Sequence, residues 1–354
     1  MFDFSEFNLF INLAIFAAAA VVVWLAGTRV TSYVNAISSK TGIGHAVIGM
    51  ILLAGITSLP EIGVTVTSAA SGAAALAVNN LFGSIAVQVA ILALIDFLIG
   101  RKALTSELPD ATVILQGALN VLLLTIATAG MVVGDFPIIG IGAWAWLSLF
   151  GYLGCVWVLA QSRGRGAWLA ARDGEIDDRV QVQQDEAQEE ADKELKDQGL
   201  NQLIWKTAGL AIAILAAGYL LSRTGDALAQ QTGLGGSYVG FVLLAFATSL
   251  PELSSTIAAA RSRLYTLAIS DILGTNLINV GLLFLVDAAA PGDPVLGQVD
   301  TFAVFGALVG IALTALFIIG MAERRDKTVT RMGIDSLAVL FVYAVSLVIL
   351  YFLR

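Results

Sequence analysis

GITSLPEIGVTVTSAA (residues 55–70) places a proline and a glutamate inside a long apolar run, and TSLPE returns at 248–252 within FATSLPELSSTIAAA (residues 246–260). The recurrence belongs to a longer duplication. Residues 41–96 align without a gap onto 232–287, at a constant offset of 191, with 22 identities in 56 positions. TGIGHAVIGMILLAGITSLPEIGV faces TGLGGSYVGFVLLAFATSLPELSS, and LAVNNLFGSIAVQVAILALID faces LAISDILGTNLINVGLLFLVD. Unrelated apolar helices share Leu and Ala by chance. They do not readily share TSLPE, Gly83/Gly274 and Asp96/Asp287 in one register. Gly49 and Gly240 read as close-packing glycines, and the two aspartates as end-capping or entry residues.

The surrounding composition is that of a membrane protein. Of 354 residues 58% are hydrophobic and 13% charged, against about 25% charged in soluble domains. Ten runs approach the ~20 apolar residues a bilayer-spanning helix needs: 8–27, 43–70, 74–99, 110–132, 137–160, 203–222, 234–260, 264–286, 300–321 and 333–353. None shows the alternation of a β-barrel strand, so the expected class is an all-α polytopic membrane protein. The opening MFDFSEF lacks Lys and Arg, unlike the basic start of a cleaved signal peptide, and span 1 is expected to be retained.

Basic residues orient the spans, because cytoplasmic loops carry the excess of Lys and Arg. Arg29 and Lys40 follow span 1, and Arg101 and Lys102 follow span 3. Arg163, Arg165 and Arg172 follow span 5; Arg261 and Arg263 follow span 7. Arg324, Arg325, Lys327 and Arg331 follow span 9. The connections after spans 2, 4 and 8 contain none. Both termini are therefore expected outside, in a bacterial-type inner (plasma) membrane. The matched segments then cross in opposite senses, and inverted repeats are the architecture of secondary transporters with a midplane site. The expected division is a first five-helix repeat over 1–160 (core 41–96), a linker over 161–202, and a second, inverted repeat over 203–354 (core 232–287). The stretch 173–197 holds eleven acids and three bases and reads as a solvated cytoplasmic linker.

At the centre of each repeat, Pro60 and Pro251 lack an N–H and free the carbonyls of Ile56 and Ala247. Such carbonyls survive at membrane depth only where protein or a polar cavity satisfies them. Thr57, Ser58, Thr248 and Ser249 add hydroxyls one turn from Glu61 and Glu252. Span 3 offers Ser84 and Gln88 on one helix face, and span 8 offers Thr275 and Asn279 at the equivalent positions. A hard cation such as Ca²⁺ takes six to eight such oxygens, and two glutamates balance its charge. A lone intramembrane proline is commonly a kink and a lone glutamate can be a structural acid; paired Pro-Glu units in inverted repeats argue for a shared ligand. Gln88 and Asn279 could also serve as polar glue between helices.

These residues resemble the α-repeats of the Ca²⁺/cation antiporter superfamily, most like its sodium/calcium exchanger branch. The resemblance rests on the doubled TSLPE followed by G-[ST] and covers most of the chain outside the linker. It implies that Glu61 and Glu252 are central ion-binding glutamates, flanked by Thr57, Ser58, Thr248 and Ser249. It further implies that the carbonyls of Ala54 and Ala245 bind ions, with Ser84, Gln88, Thr275 and Asn279 completing the site, and that spans 1 and 6 slide against the core. The span-3 copy departs from the branch, reading GSIAVQ rather than GSN-x-x-N, and Asn279 stands where many sodium/calcium exchangers carry Asp.

The expected function is Na⁺/Ca²⁺ antiport extruding Ca²⁺ by alternating access, with H⁺ coupling through the same glutamates as the alternative. Transported cations and the lipid bilayer are the expected partners, without cofactor or nucleic acid. An intramembrane enzyme would need a nucleophile–base pair or paired aspartates. A channel is usually built around an axis along the membrane normal. One histidine, His45, and one cysteine, Cys155, leave no disulfide, zinc or multi-histidine site.

Overall fold

The computed structural model describes residues 4–41, 55, 58–99, 112–162, 198–261, 265–323, 328–329 and 332–354. Eight of its helices are long and apolar enough to cross a membrane: α1 (Leu9–Val34, continuing to Thr41), α3 (Ala74–Leu98, continuing to Ile99), α4 (Thr112–Val133), α5 (Ala143–Ser162), α6 (Leu200–Thr232), α9 (Tyr265–Ala289), α10 (Thr301–Glu323) and α11 (Ile334–Leu353). A ninth span is the broken pair α7 (Gly236–Thr248) and α8 (Leu250–Arg261), bent by 47°. Of the run at 43–70, only Gly55 and Ser58 onward fall among the described residues, where Leu59–Ala70 forms α2. The acidic linker 173–197 and His45 lie outside them.

The helices are arranged from inside outward by their burial. Most of α3 and α9 is enclosed by protein, whereas α1, α5, α6 and α11 present most of their surface outward. Their outer side chains are large and apolar: Phe10, Trp157 and Phe341 are 79%, 63% and 69% exposed. A soluble domain hides such residues; a lipid-facing surface displays them, since bilayer hydrocarbon is itself apolar. The α3 core combines Leu81, Phe82, Ile85 and Leu92 with Phe241, Phe302 and Phe317 from neighbouring helices. Gly83 lets α7 approach, for a Cβ there would sit 2.1 Å from the Phe241 carbonyl oxygen.

The duplication seen in 41–96 extends through the described fold. Leu9–Thr41 recurs as Leu200–Thr232 and Leu59–Ala70 as Leu250–Arg261. Ala143–Ser162 recurs as Ile334–Leu353, and the starts of α3 and α9 also lie 191 residues apart (74 and 265). Helices α1 and α6 pack along each other and across the breaks, with Gly27 against the Pro251 ring and Gly218 against the Gly63 backbone. At 33 residues each they are ~50 Å long at the helical rise of 1.5 Å, well beyond the ~30 Å hydrocarbon core. Helix α6 therefore continues past the predicted end at 222, through Arg223 and Asp226 to Thr232.

A further boundary differs from the sequence-based expectation. Residues 137–142, predicted as the start of a span, form a hairpin with strands β1 (Pro137–Ile138) and β2 (Ile141–Gly142). Its two turn residues, Ile139 and Gly140, both have positive φ (56° and 80°), the backbone of the tight turn that twist-matches a hairpin. The matching hairpin β3–β4 (Thr328–Val329, Met332–Gly333) lies 191 residues on. Asp287, at the end of α9, accepts the backbone N–H of Gly142 and of Val295; Asp96, at the end of α3, accepts that of Gly333 at 2.8 Å. Each repeat's aspartate thus caps the hairpin of the other.

Candidate functional site

The two TSLPE prolines do not bend continuous helices. Pro60 stands in the first turn of α2 and Pro251 in the first turn of α8, where the missing N–H costs nothing and the fixed φ suits the helix. Each proline therefore marks a fresh helix N-terminus in the interior of the protein. Glu61 and Glu252 are the third residues of those helices, at the end where the macrodipole favours negative charge. In the second copy, the chain leaves α7 with a hydrogen bond from Ser249 N–H to Ala245 carbonyl (3.1 Å) and re-enters with Leu253 N–H to Ser249 carbonyl (3.0 Å). Ile62 N–H to Ser58 carbonyl (3.0 Å) is the counterpart in α2.

Both glutamates are buried, at 0% and 3% exposure. Among the described residues, none of their four carboxylate oxygens has a hydrogen-bond partner of good geometry. Thr248 nonetheless lies beside Glu61, and Glu252 lies near both Glu61 and Asp271. Buried polar atoms are paired in more than nine cases in ten, so four orphaned carboxylate oxygens in one interior call for a ligand.

Neutral oxygens gather around them across the repeats. Ser84 Oγ on α3 is 3.3 Å from Thr248 Oγ1, and Gln88 Nε2 donates to Ser249 Oγ at 3.2 Å. The span-3 face predicted from Ser84 and Gln88 thus meets the break of the second repeat. Among the described residues, the buried Gln88 Oε1 and Ser58 Oγ remain without partners. Asn279 is also buried, with neither amide atom paired among the described residues, and Thr275 donates to the Asp271 carbonyl one turn back (3.1 Å). Ala245 is buried; its carbonyl also accepts the Thr248 hydroxyl at 3.3 Å. Ala54 and Thr57 lie outside the described residues.

Three features were missed in the sequence. Residues Gly240–Leu244 run as a π-helical stretch just before the second break, a distortion frequent at functional sites that no residue pattern announces. Ser255 Oγ binds Asp271 Oδ2 at 2.7 Å. Asp271 itself carried a signal: it is an acid inside the predicted span 264–286, aligned with Asn80. Among the described residues, no three acidic, His or Cys side chains cluster as a metal centre on their own. A cation placed here would meet hydroxyl, amide and carbonyl oxygens beside the two glutamates, the ligand type of a hard ion.

A family profile described as sodium/calcium exchanger protein matches residues 11–161 and 203–352. The chain belongs to that family. It is 28% identical over 116 residues to the putative antiporter CaxA of Alkalimonas amylolytica, covering 32% of this chain and 36% of that one. It is 31% identical over 148 residues to sodium/potassium/calcium exchanger 1 of Gallus gallus, covering 40% and 22%. These matches thus span about a third or less of the curated relatives' length. Among solved structures, the H⁺/Ca²⁺ exchanger CAX superposes with a TM-score of 0.66 at 12% identity, over 97% of this chain and 86% of that one. The sodium-calcium exchanger NCX_Mj gives 0.59 at 16% identity, over 96% and 99%. The fold is that of membrane exchangers.

Proposed function

We propose that this member of the family is a secondary active cation antiporter that exports Ca²⁺ from the cytoplasm in exchange for Na⁺, by alternating access. The carrying observation is the pair of buried glutamates at two matched helix restarts, with no partner for any of their four oxygens among the described residues. A divalent cation balances two carboxylates, and the ring of Ser58, Ser84, Gln88, Thr248, Ser249, Thr275 and Asn279 supplies neutral oxygens. Thr57 and the carbonyls of Ala54 and Ala245 belong to the same proposed set. In this reading the chain spans the plasma membrane ten times as two inverted five-helix repeats, 1–160 and 203–354. The linker 161–202 is cytoplasmic and both termini are outside.

The second reading replaces Na⁺ by H⁺. It is favoured by the neutral Gln88 and Asn279, which leave the two glutamates as the charged centre, and by a fold neighbour named as an H⁺/Ca²⁺ exchanger. ⁴⁵Ca²⁺ uptake into everted vesicles decides between them. Uptake on imposing a Na⁺ gradient is expected; uptake with a pH gradient alone assigns H⁺ as counter-ion. Uptake under neither gradient refutes the antiport reading.

A further inference from the structure

The repeats are alike in backbone but not in charge. One and two turns before Thr275 and Asn279 on α9 stands Asp271, whose Oδ2 accepts the Ser255 hydroxyl (2.7 Å). Ser255 itself sits one turn past Glu252 and also reaches the Glu252 carbonyl (3.1 Å). At the positions 191 residues earlier, the first repeat has Asn80 and Val64. Asp271 is partly buried and lies close enough to Glu252 for the two carboxylates to interact; among the described residues, neither Glu252 oxygen has a partner.

We propose that Asp271, anchored by Ser255, is a staging ligand that meets the transported divalent cation on one side of the site only, before the cation reaches Glu252. The geometry supports a station rather than a third central ligand. Asp271 does not form a tight three-carboxylate cluster with Glu61 and Glu252; it stands one turn along α9 from Thr275, toward the end that starts at Tyr265. That end follows Arg261 and Arg263, so the side is cytoplasmic on the topology proposed above, on which this inference rests. Among the described residues Ser255 engages only Oδ2 of Asp271, and the Glu252 backbone carbonyl, which also accepts the Thr256 hydroxyl at 2.6 Å, is near. Carboxylate, hydroxyl and carbonyl oxygens form a partial shell that holds a Ca²⁺ still carrying waters. A carboxylate on one approach concentrates cations there by roughly tenfold or more.

The test is the sidedness of the Ca²⁺ KM. Everted vesicles read the cytoplasmic face and right-side-out vesicles the outer face, both with ⁴⁵Ca²⁺. Asp271→Asn, which installs the first repeat's residue type, is expected to raise the cytoplasmic KM about tenfold and leave the outer KM unchanged. The difference should shrink at high ionic strength, and Asp271→Glu should restore it. Ser255→Ala keeps the charge and loses the anchor, so it should give a smaller increase with the same sidedness. It also carries the test if Asp271→Asn does not reach the membrane. Equal changes at both faces mark a structural role and overturn the inference, as does no change at either. A wild-type chain that exchanges no Ca²⁺ removes the antiport reading itself, a result distinct from unsided variants of an active wild type.

Discussion

At the residue scale, the proline and the glutamate of TSLPE do different work from a kink and a buried acid. Pro60 and Pro251 start helices, and the glutamates two residues into them gain first-turn backbone dipoles at the centre of the protein. Glu61→Gln and Glu252→Gln keep shape and volume while removing the charge. Each is expected to abolish ⁴⁵Ca²⁺ exchange while the purified protein elutes as the wild type in size-exclusion chromatography. Normal exchange in both variants would discard the site. Gly83 tests packing beside it. A Cβ at Gly83 meets the Phe241 backbone at 2.1–2.7 Å, which neither partner can yield, so Gly83→Ala should cost about 1–3 kcal/mol, the usual range for overpacking. Gly209→Ala, inside a helix where nothing lies within 4 Å, is the control and should keep or slightly raise the thermal midpoint. Most of the candidate site was proposed at this scale, because a charge in a membrane span is costly enough to be informative. Asp271 obeyed the same rule. It escaped notice because the aligned Asn80 is uncharged, so the repeat comparison did not mark the position.

At the element scale, the long helices were readable and their ends were not. Hydropathy reports where apolar residues cluster, and Pro137–Gly142 is nearly as apolar as the helix it precedes; only the paired glycines betray the hairpin. The hairpin's anchor was half visible, since Asp287 and Asp96 were recognisable as end residues but their targets lie in the opposite repeat. Asp287→Ala strands the N–H groups of Gly142 and Val295. It should lower stability by about 1–3 kcal/mol, the cost of buried donors left unmade, seen as a lower thermal midpoint in detergent. Asp135 gives the same junction a pH dependence. Burial, then the Asp287 charge, push its carboxyl above the ordinary aspartate value, against the opposing pull of the Trp144 and Phe136 N–H groups. The folded state therefore holds this proton more tightly than the unfolded state. Its contribution to stability is present at low pH and declines as pH rises through the elevated folded-state value. Asp135→Asn should remove that decline; the same melting-versus-pH slope in the variant as in the wild type would exclude Asp135 as its source.

At the scale of the whole molecule, one offset relates nearly every described element to a partner, and the offset was already measurable in 41–96 and 232–287. What sequence identity did not reach is the extent of the duplication. Helices α1 and α6 keep the same length and register although facing lipid and each other asks only for apolar character, which many sequences satisfy. The proposed inversion turns this symmetry into a statement about sides. If the two halves cross the membrane in opposite senses, hairpins 191 residues apart lie on opposite faces. Asp287 and Gly142 are then at the outer surface, and Asp96 and Gly333 at the inner one. In a Cys155→Ala background, Ile139→Cys at the 91% exposed hairpin tip should react with a membrane-impermeant maleimide added to right-side-out vesicles. Thr328→Cys should react only after eversion. A parallel duplication would expose both positions to the same face, so labelling of both from one side would refute the inverted arrangement. The one-sided position of Asp271 would fall with it, while the proposal of a cation site at the two central glutamates would stand.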